Sequence, residues 1–179
     1  LPLQSGSDSI LKRMNRRYSS SQYKLTVDKI RNRIPGSAIS ADVIIGFPGE
    51  SDYDFDQTFS FCENTEFAGI HVFPYSVRPG TTAYHLPDQV SPEVKDNRMG
   101  HLLELARKDA FKYRQTQIGE ELKVLWEEVK YINGSLLWSG LTTNYVRVFT
   151  DSTSDLANRI TTATIASQKD DLVFACIKS

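Results

Sequence analysis

A strongly apolar strand that runs into a glycine turn is the feature that most limits how this chain can fold. Residues 43–45 (Val-Ile-Ile) are continuously apolar, and the Gly46–Gly49 turn (GFPG) follows at once. Such an apolar end is typical of a buried strand in a parallel sheet. Ser51 or Asp52 is then placed to cap a helix. The segment therefore predicts a strand–turn–helix unit.

The same alternation extends on both sides of this unit. Ser19 and Gln22 have the spacing of a capping box, and apolar residues follow on one helix face. Residues 70–75 predict a further strand. Residues 1–75 therefore favour an α/β fold with a parallel sheet, open or barrel-shaped. Since three strands cannot close a barrel, we expect that further units precede Leu1 in a longer polypeptide.

The second half of the chain has a different pattern. A long predicted helix begins at Pro92 and ends near Gly119. Four or five short strands follow, with a hairpin turn at Asn133–Gly134, and these favour a small antiparallel β-barrel. We therefore place a domain boundary at the helix end, between an α/β domain of residues 1–118 and a β-barrel of residues 119–179.

Composition excludes several classes of protein. Of 179 residues, 40% are hydrophobic and 24% are charged, which excludes a mostly disordered chain and a collagen. No apolar stretch is long enough to span a membrane, so no membrane partner is expected. The two cysteines make no disulfide framework and favour a reducing compartment, the cytoplasm. The three histidines are dispersed, and we assign no metal site to them.

Charge is distributed unevenly, although the total is only −1. Residues 1–34 hold eight Lys or Arg against two Asp, a net charge of +6, whereas residues 35–66 hold seven acidic residues and no base. A basic block of this kind is able to face a polyanion. The alternative is a pair of solvated helix faces that partly offset each other.

Three segments at predicted strand ends carry side chains suited to ligand binding, because ligands of parallel α/β folds bind at the carboxyl ends of strands. The Gly46–Gly49 turn admits close approach to the backbone and leads into a helix N-terminus, which favours anionic groups. Gln4, Ser5 and Ser7 offer hydrogen bonds to a ribose or an amino-acid group. Arg78 offers a charge for phosphate or carboxylate. The alternatives are a structural turn, a helix-capping turn and a solvated arginine.

Together the three segments resemble a known family. LPLQSGSD with Met14, Arg16 and Tyr18, then DVIIGFPGE, then HVFPYSVRPGT, are similar in this order to the methylthiotransferase (MiaB/MtaB-like) branch of the radical S-adenosylmethionine enzymes. GLTTNYVRV is similar to the strand core of a TRAM domain, a small RNA-binding barrel. HVFPYS and PDQV are most similar to the enzymes for threonylcarbamoyl-adenosine in tRNA; those for isopentenyl-adenosine are close, and those for a ribosomal protein are less similar.

The resemblance implies a fold, a reaction and a cofactor site. This chain would hold the second half of a (βα) barrel and the TRAM barrel, with the N-terminal part of the same polypeptide as partner. The family adds a methylthio group to a modified adenosine next to the tRNA anticodon, using S-adenosylmethionine and iron–sulfur clusters. The implied cofactor-binding residues are Gln4, Ser5, Ser7, Arg16, Gly46, Phe47, Pro48, Gly49, Glu50, Phe73 and Tyr75.

The predicted RNA contacts come from both halves of the chain, with the anticodon stem-loop as partner. Residues 119–179 hold six bases against eight acids, a net charge of −2, so the barrel must use a local basic patch. Its Trp126, Trp138 and Tyr145 are able to stack on bases, but the barrel core is the favoured place for the tryptophans. The predicted RNA-binding residues are Arg13, Arg17, Arg78, Lys123, Lys130 and Arg147.

The cysteines depart from the family pattern. The family's radical cluster needs three cysteines spaced CxxxCxxC, and a second cluster needs three more upstream, whereas Cys62 and Cys176 stand alone. Both are predicted to be buried structural thiols. Without a thiolate set to hold iron, this chain by itself is expected to be inactive, with the clusters bound elsewhere in the parent protein.

Two other interpretations stay open at this point. One is a stand-alone RNA-binding module in which the α/β part is only a scaffold. The other is an unrelated α/β enzyme that uses the Gly46–Gly49 turn as an anion site, although the order of the three segments argues against it.

Overall fold

Three parallel strands organise the first part of the chain in this computed structural model, which describes residues 1–178. The strands are β1 (Pro2–Gln4), β2 (Ser40–Ile45) and β3 (Gly69–Pro74). β2 lies in the centre and pairs in parallel with both neighbours. The predicted parallel sheet in a mixed α/β fold is therefore confirmed.

Four α-helices accompany this sheet, and local signals account for the starts of two of them. The Ser19 and Ser51 side chains each accept a hydrogen bond from the backbone N–H three residues on, and the Gln22 and Asp54 side chains complete the two capping boxes. A short 3₁₀ helix, Thr82–His85, lies in the loop after β3. The α-helices are α1 (Asp8–Arg13), α2 (Ser20–Arg33), α3 (Asp52–Thr65) and α4 (Pro92–Thr116).

One face of the sheet forms the core of this part. Ala41, Val43 and Ile45 of β2 are fully buried and pack with helix residues such as Val27, Cys62 and Leu102. On the other face Ile44 is half-buried, and Phe73 is half-exposed. The apolar run of residues 43–45 therefore alternates in burial, because within the described chain helices cover only one face of the sheet.

The second part of the chain is a closed five-stranded barrel with the order β4-β5-β6-β8-β7. The expectation of an antiparallel barrel holds for every pair except β6 and β8, which pair in parallel at Phe149 and Phe174. A closed barrel with an odd number of strands must contain at least one parallel pair. The strands are β4 (Glu121–Ile132), β5 (Ser135–Thr142), β6 (Arg147–Thr150), β7 (Ile160–Lys169) and β8 (Leu172–Ile177).

The barrel core is built around Trp126, which is fully buried and whose Nε1–H donates to Thr161 Oγ1 at 2.8 Å. Gly140 on β5 lies opposite Trp126 in the β-ladder. A β-carbon at position 140 would come within 2.6 Å of the Trp126 ring, so only glycine fits there. The core alternative for this tryptophan is confirmed.

The two compact units divide between Ala110 and Phe111, inside α4 and not at the predicted boundary of 118/119. The last turns of α4 pack with the barrel. Asn144 Nδ2 donates to Tyr113 Oη at 3.0 Å and to Gln117 Oε1 at 2.7 Å. The predicted helix end near Gly119 lies close to the observed end of α4 at Thr116, whereas the last turns of this helix belong to the second unit.

Candidate functional site

The ends of β1 and β2 lie side by side at the carboxyl edge of the sheet. Gln4, the last residue of β1, pairs with Val43, and the Gly46–Glu50 turn begins directly after Ile45, the last residue of β2. The expectation that the first loop and the glycine turn share one edge is confirmed by this parallel pairing.

Gln4 and Arg16 form a polar pair at this edge. Arg16 Nη2 donates to Gln4 Oε1 at 2.8 Å, although twelve residues separate them. Gln4 is buried and has a left-handed backbone (φ 67°), whereas Arg16 is exposed. Four of the five guanidinium N–H donors are left for solvent or a ligand. The two predicted cofactor residues are thus brought together.

Ser5 and Ser7 differ from the expectation that they face the cofactor. Both are fully buried, and their hydroxyls are used within the protein. Ser5 Oγ lies 3.0 Å from Thr58 Oγ1, and Ser7 Oγ donates to Asp54 Oδ1 at 2.7 Å. The two serines therefore hold the first loop on α3.

Asp54 is the centre of this attachment. Its two carboxylate oxygens accept hydrogen bonds from the hydroxyls of Ser7, Ser9 and Ser51 and from the Ser51 backbone N–H. Burial raises the pKa of Asp54, but these donors outweigh it and hold the pKa at about 2. The carboxylate stays ionised over the whole physiological range and joins the first loop to the start of α3.

The Glu50 side chain stabilises the glycine turn from within. Its Oε2 accepts from the Gly46 backbone N–H at 2.7 Å and from Arg98 Nη1 at 2.6 Å. The side chain is fully buried, and Oε1 has no partner. Burial raises the pKa of this carboxyl, while the Gly46 N–H and Arg98 lower it. The buried Glu50 side chain therefore shapes the turn, and the expectation that it also faces the cofactor stays a prediction.

Gly46 and Gly49 both have left-handed backbones, with φ of 68° and 80°. The space that a β-carbon would occupy at Gly46 is filled by the aliphatic stem of Lys95, and at Gly49 by the guanidinium of Arg13. Because neither glycine has a β-carbon, Lys95 can lie against Gly46 and Arg13 against Gly49. Arg13, predicted to contact RNA, lies over the glycine turn.

Aromatic rings flank the turn on its β3 side. Phe47 and Tyr75 meet edge to face with their centroids 5.1 Å apart, and Phe73 is half-exposed. Lys95 Nζ donates to the Tyr75 carbonyl at 3.1 Å and lies 5.5 Å from the ring centroid. Pro48 is buried with Phe47. Of the predicted aromatic contacts, Phe73 is half-exposed and Tyr75 is partly buried, whereas Phe47 is buried.

The predicted RNA contacts belong to both units, three to each. Arg17 and Arg78 are exposed, with Arg78 in the loop after β3. In the barrel, Lys130 Nζ lies 3.1 Å from Glu128 Oε1, and Arg147 forms an ion pair with Glu127. Lys123 is exposed. Two of the three cations expected to form a basic patch are therefore paired with glutamates.

Tyr145 is one of two tyrosines that the barrel presents to solvent, the other being Tyr131 on β4. Tyr145 is 81% exposed and has a left-handed backbone (φ 64°). Thr142 fixes the turn before it, since its Oγ1 accepts from the Val146 N–H at 2.8 Å. Trp138 is half-buried against the barrel core. Tyr145 is thus the one of the three candidate stacking residues that keeps an open face.

The two cysteines differ from each other. Cys62 is fully buried, as predicted, and burial raises the pKa of its thiol to about 12. The prediction of burial is wrong for Cys176, which is exposed because its side chain points away from the core on β8. Within residues 1–178 no group of three or more His, Cys, Asp or Glu side chains is placed to hold a metal ion.

Two side chains of the site carried no functional signal in the sequence. Lys95 and Arg98 are three residues apart on α4, so they share a helix face. Arg98 also donates to Asp52 Oδ1 at 2.7 Å. Their spacing predicts a common face, but nothing local shows that this face covers the glycine turn.

Among the described residues, no helix has the length and apolar character needed to cross a membrane.

Comparison with known proteins gives a consistent result. Residues 1–62 match the model of the Radical SAM superfamily. The threonylcarbamoyladenosine tRNA methylthiotransferase MtaB of Bacillus subtilis is 37% identical over 161 residues, 89% of this chain and 36% of the relative. The MtaB of Thermotoga maritima is 43% identical over 127 residues, 71% of this chain and 29% of the relative.

A second group of relatives carries another substrate in its name. The tRNA-2-methylthio-N(6)-dimethylallyladenosine synthase of Acidothermus cellulolyticus is 43% identical over 128 residues, 72% of this chain and 26% of the relative. The chain spans about a third of the length of the curated relatives it matches. These relatives agree with the family that the order of segments in the sequence indicates. The chain belongs to the MiaB/MtaB-like family of radical S-adenosylmethionine methylthiotransferases.

Proposed function

We propose that this chain is the C-terminal part of a tRNA methylthiotransferase, which adds a methylthio group to a modified adenosine next to the anticodon. The observation that carries the proposal is the meeting of the Gln4–Arg16 pair with the Gly46–Glu50 turn at one sheet edge. Threonylcarbamoyl-adenosine is the favoured substrate base, and the dimethylallyl form is the alternative, since relatives of both names match.

The residues at this edge fit S-adenosylmethionine. The exposed Arg16 guanidinium suits its carboxylate, and Phe73 and Tyr75 offer rings for its adenine. The remaining donors of Arg16 are directed by its bond to the buried Gln4. When bound, the cofactor supplies a radical for hydrogen abstraction and the methyl group. The protein binds and orients it: the Glu50–Arg98 pair keeps the turn in shape, and Asp54 keeps the first loop against α3.

The residues present do not fit an iron–sulfur cluster. Cluster ligands are thiolates, and the pKa of about 12 keeps Cys62 protonated in the core. Cys176, the second of the two cysteines, is on the barrel. We place the clusters on the N-terminal part of the parent polypeptide, so this chain alone is inactive.

The β-barrel is proposed to be the TRAM domain and to contact the anticodon stem-loop. Tyr145 supports this role, because an exposed ring on a fixed turn is suited to stack on an unpaired base. The basic residues Arg13, Arg17 and Arg78 of the first unit are proposed to supply phosphate contacts. Such an enzyme works on tRNA in the cytoplasm.

Binding of S-adenosylmethionine to the purified chain tests the proposal by isothermal titration calorimetry. Arg16→Gln is expected to weaken binding about tenfold, since it removes one charge-assisted hydrogen bond. Arg17→Gln, the exposed neighbour, is the matched control and is expected to bind as the unmodified chain does. Equal affinities of the two variants would remove Arg16 from the cofactor site. Binding of tRNA without any binding of the cofactor would favour the stand-alone RNA-binding module.

A further inference from the structure

The groove between α3 and α4 is a surface that the proposed function leaves unused. Two adjoining cavities of about 350 and 430 Å³ occupy it, and they share Phe55, Asp56 and His101. Its floor is apolar: Phe55 and Leu105 are nearly fully buried, Phe59 is partly buried, and Val94 is exposed. Val94 is 38% exposed, so part of this floor stays open to solvent.

The rim of the groove is acidic. Asp56 and Glu63 lie on α3, and Glu93 and Glu104 lie on α4, at the edges of the two cavities. Within residues 1–178 none of the four forms an ion pair. The Lys and Arg side chains that line the groove there are Arg98 and Lys108, and Arg98 is already paired with Glu50 and Asp52. Three of the seven acidic residues of 35–66 (Asp52, Asp56 and Glu63) thus line this groove, together with Glu93 and Glu104 of α4.

We infer that this groove docks a basic amphipathic helix of a protein partner. Apolar side chains on one face of such a helix would cover Phe59 and Val94, and Lys or Arg side chains on its edges would meet the acidic rim. A nucleic acid does not fit, because the rim would repel its phosphates. The inference does not depend on the proposed cofactor or tRNA roles.

The spacing of the rim carboxylates favours a helix over a small cation. Asp56 and Glu63 are seven residues apart on α3, which is about 10 Å along a helix axis. Carboxylates so far apart do not converge on one ion, whereas they match Lys side chains spaced two turns apart on a docked helix. The apolar floor also offers no ligand atom to a hydrated cation, whereas it is able to bury apolar side chains of a docked helix.

A designed peptide serves as the probe. It is a fluorescein-labelled helix of about 18 residues with Leu at i, i+3, i+4 and i+7 positions and Lys elsewhere. A scrambled peptide of the same composition lacks the apolar face, and a third peptide carries Glu in place of Lys. Anisotropy titrations with the full chain are expected to show binding of the amphipathic basic peptide and at least about tenfold weaker binding of the other two.

Matched variants locate the binding. Asp56→Lys/Glu63→Lys is expected to weaken binding about tenfold, whereas Asp96→Lys/Glu120→Lys, an equal charge change at exposed positions outside the groove, is expected to weaken it less than about threefold. Val94→Ser tests the apolar floor and is expected to weaken binding about threefold.

Four results would overturn the inference. Two concern the peptides: the scrambled peptide binds as tightly as the amphipathic one, or both charge-reversal variants lose the same amount of peptide affinity. The other two concern the occupant: tRNA displaces the peptide, or analytical ultracentrifugation shows a dimer of the unmodified chain that Asp56→Lys/Glu63→Lys loses. Circular dichroism of each variant shows whether it is folded; if Asp56→Lys/Glu63→Lys is unfolded, Glu104→Lys takes its place with the same expected direction.

Discussion

Arg98 Nη1 of α4 donates to the fully buried Glu50 Oε2 across 2.6 Å, and so connects the long helix to the glycine turn 48 residues earlier in the chain. The same carboxylate oxygen accepts the Gly46 N–H. The guanidinium lies 5.5 Å from the Phe55 ring and also reaches Asp52. The Arg98 side chain thus contacts both the glycine turn and the start of α3, and it holds α4 next to them.

Arg98→Met is expected to lower the free energy of unfolding by about 3–5 kcal/mol, because it leaves Glu50 as a buried carboxyl without its cation. The double variant Arg98→Met/Glu50→Gln removes the buried charge as well and is expected to recover part of the loss. Urea denaturation monitored by circular dichroism measures both. A loss below about 1 kcal/mol in Arg98→Met would show that the pair contributes little.

Acid is expected to destabilise the first unit through Asp54. Its pKa of about 2 lies below the ordinary 3.8, so its contribution to stability is complete above about pH 4 and is lost as pH falls toward 2. Asp54→Asn is expected to remove this part of the pH dependence, which amounts to at most about 2 kcal/mol because solvent screens part of the interaction.

Denaturant titrations between about pH 2 and pH 6 test this expectation. Asp96→Asn, an exposed acid on α4, serves as the control and should keep the pH profile of the unmodified chain. If Asp54→Asn and the unmodified chain lose stability in parallel under acid conditions, the donors around Asp54 do not hold its pKa low.

Alanine substitutions at Gly36 and Gly46 distinguish the cost of a left-handed backbone from the cost of side-chain crowding. Gly36, with φ of 75° and open space around it, is expected to tolerate alanine at a cost of about 1 kcal/mol. Gly46→Ala adds displacement of the Lys95 stem and is expected to cost about 2–4 kcal/mol. Thermal unfolding of both variants compares them; equal losses would mean that Lys95 moves aside freely.

Thiol reactivity distinguishes the two cysteines. Exposed Cys176 is expected to react with a maleimide in the native chain, whereas Cys62 reacts only after unfolding, because it is buried and its pKa of about 12 keeps it protonated. Mass spectrometry of the labelled chain counts the adducts. The Cys176→Ser variant should stay unlabelled until denaturant is added; native labelling of that variant would contradict the burial of Cys62.

Salt dependence of tRNA binding locates the phosphate contacts. Arg13→Ala/Arg17→Ala is expected to reduce the slope of log K against log salt by about 0.7–0.9 for each phosphate that is no longer neutralised. Lys130→Ala/Arg147→Ala is expected to change it less, because Glu128 and Glu127 already pair with these cations. Filter binding at several salt concentrations measures both slopes. A larger change of slope in Lys130→Ala/Arg147→Ala than in Arg13→Ala/Arg17→Ala would show that the barrel makes most of the phosphate contacts.

Local signals predicted much of this architecture. The capping boxes at Ser19 and Ser51 mark helix starts because their hydrogen bonds span only three residues. The alternation of strands and helices predicts a parallel sheet, and parallel strands bring Gln4 and the Gly46–Glu50 turn to one edge. The Asn133–Gly134 pair likewise marks the turn between β4 and β5, where both residues have left-handed backbones.

Tertiary packing alone decided the rest, because the deciding contacts join residues far apart in the chain. Ser5 and Ser7 turn inward since Thr58 and Asp54 of α3 lie beneath them, about 50 residues later. Cys176 is exposed because β8 turns that side chain away from the barrel core, which a short apolar strand does not reveal. By itself, the sequence determined the elements, their order and the shared edge, since these follow from hydrogen bonds and periodicity over a few residues. Which side chain covers each glycine, and which carboxylate is buried with Arg98, depended on how distant helices pack on the sheet.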